Sequence, residues 1–158
     1  MSIRSVRLPD DKIAILSFID GMQQFEHALE PDRRVDSAVA EEFFAEIFAR
    51  LKARGGVALI WEEQGSPVGW ATAHRDENDV YVRPDERQFA LISELFVLEK
   101  ARGRGIGKAL IAACEDGARA QGLNVVMINV LRDNRCAENI YRAAGFETYY
   151  TGLRKYLR

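Results

Sequence analysis

Apolar positions along this chain switch between a spacing of two and a spacing near 3.6, the periods of strands and helices. Residues 2–7 carry Ile3 and Val6, with Leu8 just beyond, and predict a strand. Pro9 and Asp10 supply a turn, after which Ile13, Ile15, Leu16, Ile19 and Met22 predict a helix over 11–26. Beyond Pro31, Asp36 or Ser37 stands where a cap is needed for a second helix reaching Ala53, built on Val39, Phe43, Phe44, Ile47, Phe48 and Leu51. Gly55 and Gly56 end it. Strands over 57–62 and 68–74 flank a turn at 64–67, and a third, long strand over 88–98 follows the polar stretch 76–87. A helix over 105–121 would bury Ile106, Leu110, Ile111, Cys114 and Ala118 on one face, and Gly122 closes it. The β-branched run 125–131 predicts another strand, 133–144 a helix, and 146–151 with 153–157 a final pair of strands.

The resulting order, β-α-α-β-β-β-α-β-α-β-β, mixes hairpins with helical crossovers, so the fold class is α/β with a mixed sheet. At 158 residues, 47% hydrophobic and 29% charged, one globular domain over 1–158 is expected. Lys and Arg number 22 against 24 Asp and Glu, a net charge of −2, which leaves no general basic surface and argues against nucleic acid as a partner. No apolar run approaches the ~20 residues needed to span a bilayer, and the first residues alternate charge with apolarity, unlike a signal peptide. A cytoplasmic protein without a membrane partner is expected. Cys114 and Cys136 fall on separate predicted helices without metal-ligand spacing and are expected as buried reduced thiols, and no metal site is suggested.

Chemistry concentrates in residues 98–108, LEKARGRGIGK. Gly103, Gly105 and Gly107 alternate with Arg102, Arg104 and Ile106, between an apolar strand and an amphipathic helix. Glycines so placed let successive backbone N–H groups turn toward one point, and the following helix adds its unpaired first-turn donors. Lys100, Arg102, Arg104 and Lys108 face only Glu99, so the local field is positive. A polyphosphate is the expected ligand. A Walker loop would need glycine where Arg102 stands, and a dinucleotide fingerprint would need one where Lys108 stands. The pattern that fits is R-x-x-G-x-G, filled by Arg102, Gly105 and Gly107. It resembles the coenzyme A pyrophosphate loop of the GNAT superfamily of N-acetyltransferases. A second block, with Asn134, Ala137, Ile140, Tyr141, Gly145 and Phe146, resembles the family's C-terminal helix N-x-x-A-x-x-[LI]-Y-x-x-x-G-F.

The resemblance implies a GNAT-like fold: a central mixed sheet of about seven strands flanked by about four helices. Two parallel strands, here 94–98 and 125–130, splay apart around the cofactor's pantetheine arm. It implies acetyl-CoA as cosubstrate, held by Arg102, Gly103, Arg104, Gly105, Ile106, Gly107 and Lys108, with the backbone of Leu95, Phe96 and Val97 and the amide of Asn134 on the pantetheine arm. Direct transfer of the acetyl group to a primary amine, through a tetrahedral intermediate, needs a neutral amine and a proton for the departing thiolate. Tyr141 is the candidate acid, because a phenol with an ordinary pKa near 10 stays protonated at neutral pH; its other reading is an amphipathic core residue. Glu94, a carboxylate inside the apolar run 91–98, is the candidate base unless a nearby Arg or backbone group simply satisfies it. His74 is a weaker alternative, and His27 weaker still. Acceptor contacts are expected from 25–36 and 76–87, both rich in charge of either sign. The leading function is acetylation of a small-molecule amine, the alternatives being a protein lysine or N-terminal acetyltransferase and a non-catalytic coenzyme A-binding regulator. A homodimer formed through the aromatic C-terminal run is expected, since Tyr149, Tyr150, Leu153, Tyr156 and Leu157 exceed what a short hairpin buries alone.

Overall fold

Residues 68–74 are buried without interruption, which a strand achieves only when helices cover both of its faces. The computed structural model describes residues 2–157; Met1 and Arg158, included in the expected domain, lie outside the described residues. The elements are β1 (Ser2–Ser5), α1 (Lys12–Leu29), α2 (Val39–Arg54), β2 (Gly56–Glu63), β3 (Ser66–Glu77), the one-turn α3 (Pro84–Arg87), β4 (Gln88–Val97), α4 (Ile106–Ala120), β5 (Val126–Ile128) and α5 (Arg135–Ala143). They build one mixed sheet in the order β1-β2-β3-β4-β5. The first four strands pair antiparallel and β5 joins β4 in parallel through α4.

Sequence dictates most of this locally. Gln64 and Gly65 both take positive φ, 50° and 77°, giving the tight turn whose twist matches a hairpin, so Ser66 and Pro67 already belong to β3 rather than to the turn. On one face of the sheet α1 and α2 lay Ile15, Phe18, Ile19, Ile47 and Leu51 over Ile60 and Trp70. On the other, α4 lays Ile106, Leu110, Ile111 and Cys114 over Val68, Ala71, Ala73 and Ile92. Each such fully buried aliphatic side chain stabilises the fold by roughly 1.5–3 kcal/mol. Arg4 ties β1 to the start of α1 through Asp11, at 2.7 and 2.8 Å, and to β2 through Glu62, at 2.6 Å.

Several expectations need correction. Among the described residues the sheet has five strands, not about seven, because 146–157 forms no strand. That segment is instead held across the end of α1 by Arg154, which pairs with Glu30 at 2.7 Å and with Asp32. Its Tyr149, Tyr150, Leu153, Tyr156 and Leu157 stay exposed. Ile13 is exposed while Phe18 and Gln23 are buried on α1. Cys136 is exposed, and only Cys114 is a buried thiol, which burial pushes up to about 12.

Candidate functional site

The loop between β4 and α4 is a concave run of backbone donors. A 3₁₀ turn (Glu99–Ala101) leads into Gly103 and Gly105, whose φ of 75° and 78° lie in the left-handed region that glycine adopts without strain. The first α4 bond runs from the Ala109 N–H to the Gly105 carbonyl at 3.0 Å. Among the described residues none of the N–H groups of residues 103–108 has an acceptor. A Cβ built on Gly103, Gly105 or Gly107 would meet nothing within 4 Å, so open space lies beside these glycines. The two arginines do not fill it. Arg102 turns back, donating from Nε to the Val97 carbonyl at 3.0 Å with its guanidinium over the rings of Phe25 and Phe96. Arg104 donates to the Ala101 carbonyl and pairs with Glu63 at 2.7 Å.

Beside this loop the sheet comes apart. The parallel ladder holds only at Ala90↔Val126, Leu91↔Met127 and Ile92↔Ile128. Opposite β3 the register jumps between Thr72↔Glu94 and Ala73↔Ile92, so Ser93 is an extra, bulged residue. From Glu94 to Val97, β4 keeps its pairing with β3 but has no partner on the β5 side among the described residues.

The bulge turns Ser93 and Glu94 to the same face, beneath α2. Glu94 is 2% exposed. Its Oε2 accepts from the Ser93 hydroxyl at 2.7 Å and from the Thr72 hydroxyl, and its Oε1 lies 3.5 Å from Arg50 Nη1. Arg50 is shared with Glu46 at 2.6 Å. Burial pushes the Glu94 carboxyl above its ordinary range, against the Ser93 and Thr72 hydroxyls and Arg50, which pull it down. His74, 2% exposed, sits one step further along, its Nδ1 3.4 Å from Ser93 Oγ and its Nε2 4.0 Å from Asp76. Burial, reinforced by Arg50, depresses its basicity.

Tyr141 occupies the opposite face. It packs against the α4 side of the core and edge-on to Phe146, with ring centroids 6.2 Å apart. Burial pushes its hydroxyl up to about 12, so the phenol keeps its proton at neutral pH. Asn134 caps its helix, accepting from the Ala137 N–H at 3.1 Å. Tyr141 opens onto a cleft of about 780 Å³ between β5 with the loop after it, α5, the C-terminal segment, and Glu30, Asp32 and Arg33 from the α1–α2 connection.

The model of the acetyltransferase (GNAT) family matches residues 22–146. The chain belongs to that family. It is 30% identical over 99 residues to the uncharacterized N-acetyltransferase YhfO of Bacillus subtilis, a match covering 63% of this chain and 64% of YhfO. It is 28% identical over 156 residues to the L-amino acid N-acyltransferase MnaT of Escherichia coli, covering 92% of this chain and 79% of MnaT. The tetramutant of the BH1408 protein from Bacillus halodurans has the same fold, with a TM-score of 0.83 at 19% identity, covering 99% and 100% of the two chains.

On this GNAT scaffold the residues singled out from sequence fall into three groups. Residues 102–105 form one loop and 106–108 the first turn of α4 that follows it, and Leu95, Phe96 and Val97 lie on the β4 stretch unpaired with β5, next to it. Tyr141 reaches the cleft. Glu94 does not line it, and of the two expected acceptor segments only the first contributes, since 76–87 lies elsewhere. Sequence reading missed Arg50, Thr72 and Ser93 as partners of Glu94. One signal was available: Thr72, His74 and Asp76 alternate with Ala71, Ala73 and Arg75, a polar row on one face of β3. Among the described residues no group of His, Cys, Asp and Glu is placed to hold a metal, and no helix is long and apolar enough to cross a membrane.

Because the folded state holds the Glu94 proton to higher pH than the unfolded chain, this group favours folding below the ordinary Glu range, and that contribution is lost as pH rises above that range and through the raised folded value. Glu94→Gln is therefore expected to melt above the wild-type protein at pH 7 and together with it near pH 4. Scanning calorimetry at both values checks this, and a lower melting temperature at pH 7 would mean that Arg50 outweighs burial.

Proposed function

We propose that this GNAT protein uses acetyl-CoA to acetylate a primary amine of a small molecule. The observation that carries the reading is the run of acceptor-less N–H groups at 103–108, curved by two left-handed glycines and open in front. The residues fit the group: such a concavity at a helix N-terminus suits a pyrophosphate, and the β4 stretch 95–97 offers free strand edge to an extended, amide-bearing arm. When bound, acetyl-CoA supplies an activated thioester carbonyl. This chain's residues then do the rest. Gly103, Gly105, Gly107 and their neighbours bind phosphate through backbone, Asn134 fixes the start of α5, and Tyr141 holds a proton for the departing sulfur; Glu94, buried beneath α2 and outside the cleft, is the candidate acceptor of the amine proton, which must pass the unpaired 94–97 edge of β4 to reach it.

A cleft of about 780 Å³ lies in the range of small-molecule sites, which favours a small acceptor. Its lining carries charge of both signs in ion pairs, Glu30 and Asp32 with Arg154, Arg33 with Glu26 and Asp32, Arg132 with Asp133 and Arg135 with Glu138, which an acceptor with both an amine and an acid group, such as an L-amino acid, would have to exchange with. A second copy of the chain is proposed as the partner of the exposed C-terminal aromatics, because among the described residues β5 has no strand on its outer side and a strand edge beside unburied tyrosines invites pairing.

Gly107→Val is expected to weaken coenzyme A binding by at least tenfold in calorimetry with the melting temperature little changed, since Gly107 has an ordinary helical φ and no neighbour to clash with. Unchanged affinity would move the pyrophosphate elsewhere. Free thiol release from acetyl-CoA, assayed over L-amino acids, aminoglycosides and a lysine peptide, should be strongest with a small amine. Tyr141→Phe should lower kcat in that assay by about 10²–10⁴-fold with coenzyme A affinity retained; wild-type turnover would remove the hydroxyl from the reaction. Light scattering is expected to return about twice the 17.9 kDa chain mass, and a purely monomeric reading would leave the C-terminal aromatics without that partner.

A further inference from the structure

Glu94 is held in a way that a solitary base does not require. Its Oε2 shares the Ser93 hydroxyl with a second acceptor, His74 Nδ1, at 2.7 Å on one side and 3.4 Å on the other. A serine has one hydroxyl proton, so it can serve only one of them at a time. While Glu94 is ionised, that proton points to the carboxylate. Once Glu94 has taken a proton, its own O–H donates to Ser93 Oγ, and the Ser93 proton is displaced toward the next acceptor. The neighbours offer few. Thr72 Oγ1, 2.9 Å from Ser93 Oγ, donates to the same Glu94 oxygen but keeps acceptor lone pairs of its own, so the displaced proton is shared between Thr72 Oγ1 and His74 Nδ1 at 3.4 Å. Around the ring stand Arg50 and Arg54 from α2, Asp76 from its own strand and Ser93 from β4, with Glu46 beyond Arg50.

We propose that His74 is a positioning residue that sets the proton affinity of Glu94: its bare Nδ1 joins Thr72 Oγ1 in accepting the Ser93 hydroxyl whenever Glu94 is protonated. The proton balance is simple. The amine loses one proton, Glu94 gains it, the Ser93 hydroxyl rotates without leaving its oxygen, and His74 neither gains nor loses a charge. The depressed basicity of the buried ring fits this role, because an imidazolium has no lone pair to offer. In function the inference rests on the reading of Glu94 as the base, but the coupling between the two side chains exists in the free protein and is measured there.

Removing the acceptor should make protonated Glu94 less favourable. The Glu94 carboxyl, followed by carbon-13 NMR in the free protein, should titrate about half to one pH unit lower in His74→Leu, the shift that one neutral hydrogen bond supports. A neutral ring is replaced by a neutral side chain, so no charge is removed. If His74 served only as packing, the more apolar leucine would move the midpoint up instead. His74→Asn, whose Oδ1 stands near the place of Nδ1, should bring it back. An unmoved or raised midpoint in His74→Leu overturns the proposal. So does a wild-type nitrogen-15 spectrum with the proton on Nδ1, a measurement that does not depend on any variant folding. The rate profile then judges the base separately. If the alkaline-rising limb of kcat/KM fails to follow the Glu94 midpoint through these variants, Glu94 is not the base even where its coupling to His74 stands.

Discussion

The parallel ladder between β4 and β5 stops after three residue pairs, and the site depends on that termination. In a regular strand Ser93 and Glu94 would point to opposite faces. The bulge at Ser93 places both beneath α2, where they meet Thr72 and each other. The ladder with β5 ends at Ile92, the residue just before the bulge. The inserted residue thus stands where the unpaired 94–97 edge of β4 begins, and it sets a carboxylate and its hydrogen-bonding hydroxyls at the start of that edge. The run 102–108 comes directly after, so edge and anion cradle are joined within a few residues of chain.

Burying Glu94 works against stability, and the surroundings offset this only in part. Two hydroxyls and a half-buried guanidinium favour the ionised form, but the net effect still raises the carboxyl. A carboxyl so raised holds its proton to higher pH than an exposed one, which suits the general-base role proposed for Glu94. Tyr141 shows the same cause with the other outcome. Burial against the α4 side of the core raises its hydroxyl too, and for a phenol that secures the protonated form, which the proposed acid role would use. The sheet separates the two groups, so neither titration is tuned by the other's charge. Stability traded for a tuned group is a common compromise in enzymes.

Features whose causes are local were legible in the sequence. The glycine requirement of 103–107, the α4 face Ile106, Leu110, Ile111, Cys114 and Ala118, and the cap at Asn134 depend on a few neighbouring residues, and each stands where sequence reading put it. The face of α1 was legible too, but Ile13 precedes Ile15 by about 200° around a helix and belongs on the opposite side. Glu94 stood out as a charge in an apolar run. Its partners did not, because which residue of β3 lies opposite Glu94 depends on a register that the bulge shifts by one. The C-terminal run misled for a related reason. Its aromatic pattern suits a strand, yet β5 offers only three residues, and Arg154 holds the run against the carboxylates at the end of α1.

The arginines of the glycine loop suggest how its shape persists. From sequence, Arg102 and Arg104 read as phosphate ligands. In the fold, both guanidinium groups bind the protein: Arg102 caps the last carbonyl of β4 and lies over Phe25 and Phe96, and Arg104 pairs with Glu63 at the end of β2. Ordering a free arginine around a ligand costs about 1.5–2 kcal/mol of side-chain entropy, and here that ordering is made during folding. The donors left over are backbone N–H groups fixed by the glycines and by the first turn of α4, which need little rearrangement to meet an anion. Lys100 and Lys108 form no ion pair among the described residues, so they keep the local potential positive. The arginines thus act as braces, and in the proposed function the peptide groups serve as ligands, so the spacing of the glycines, more than the count of positive charges, marks the loop.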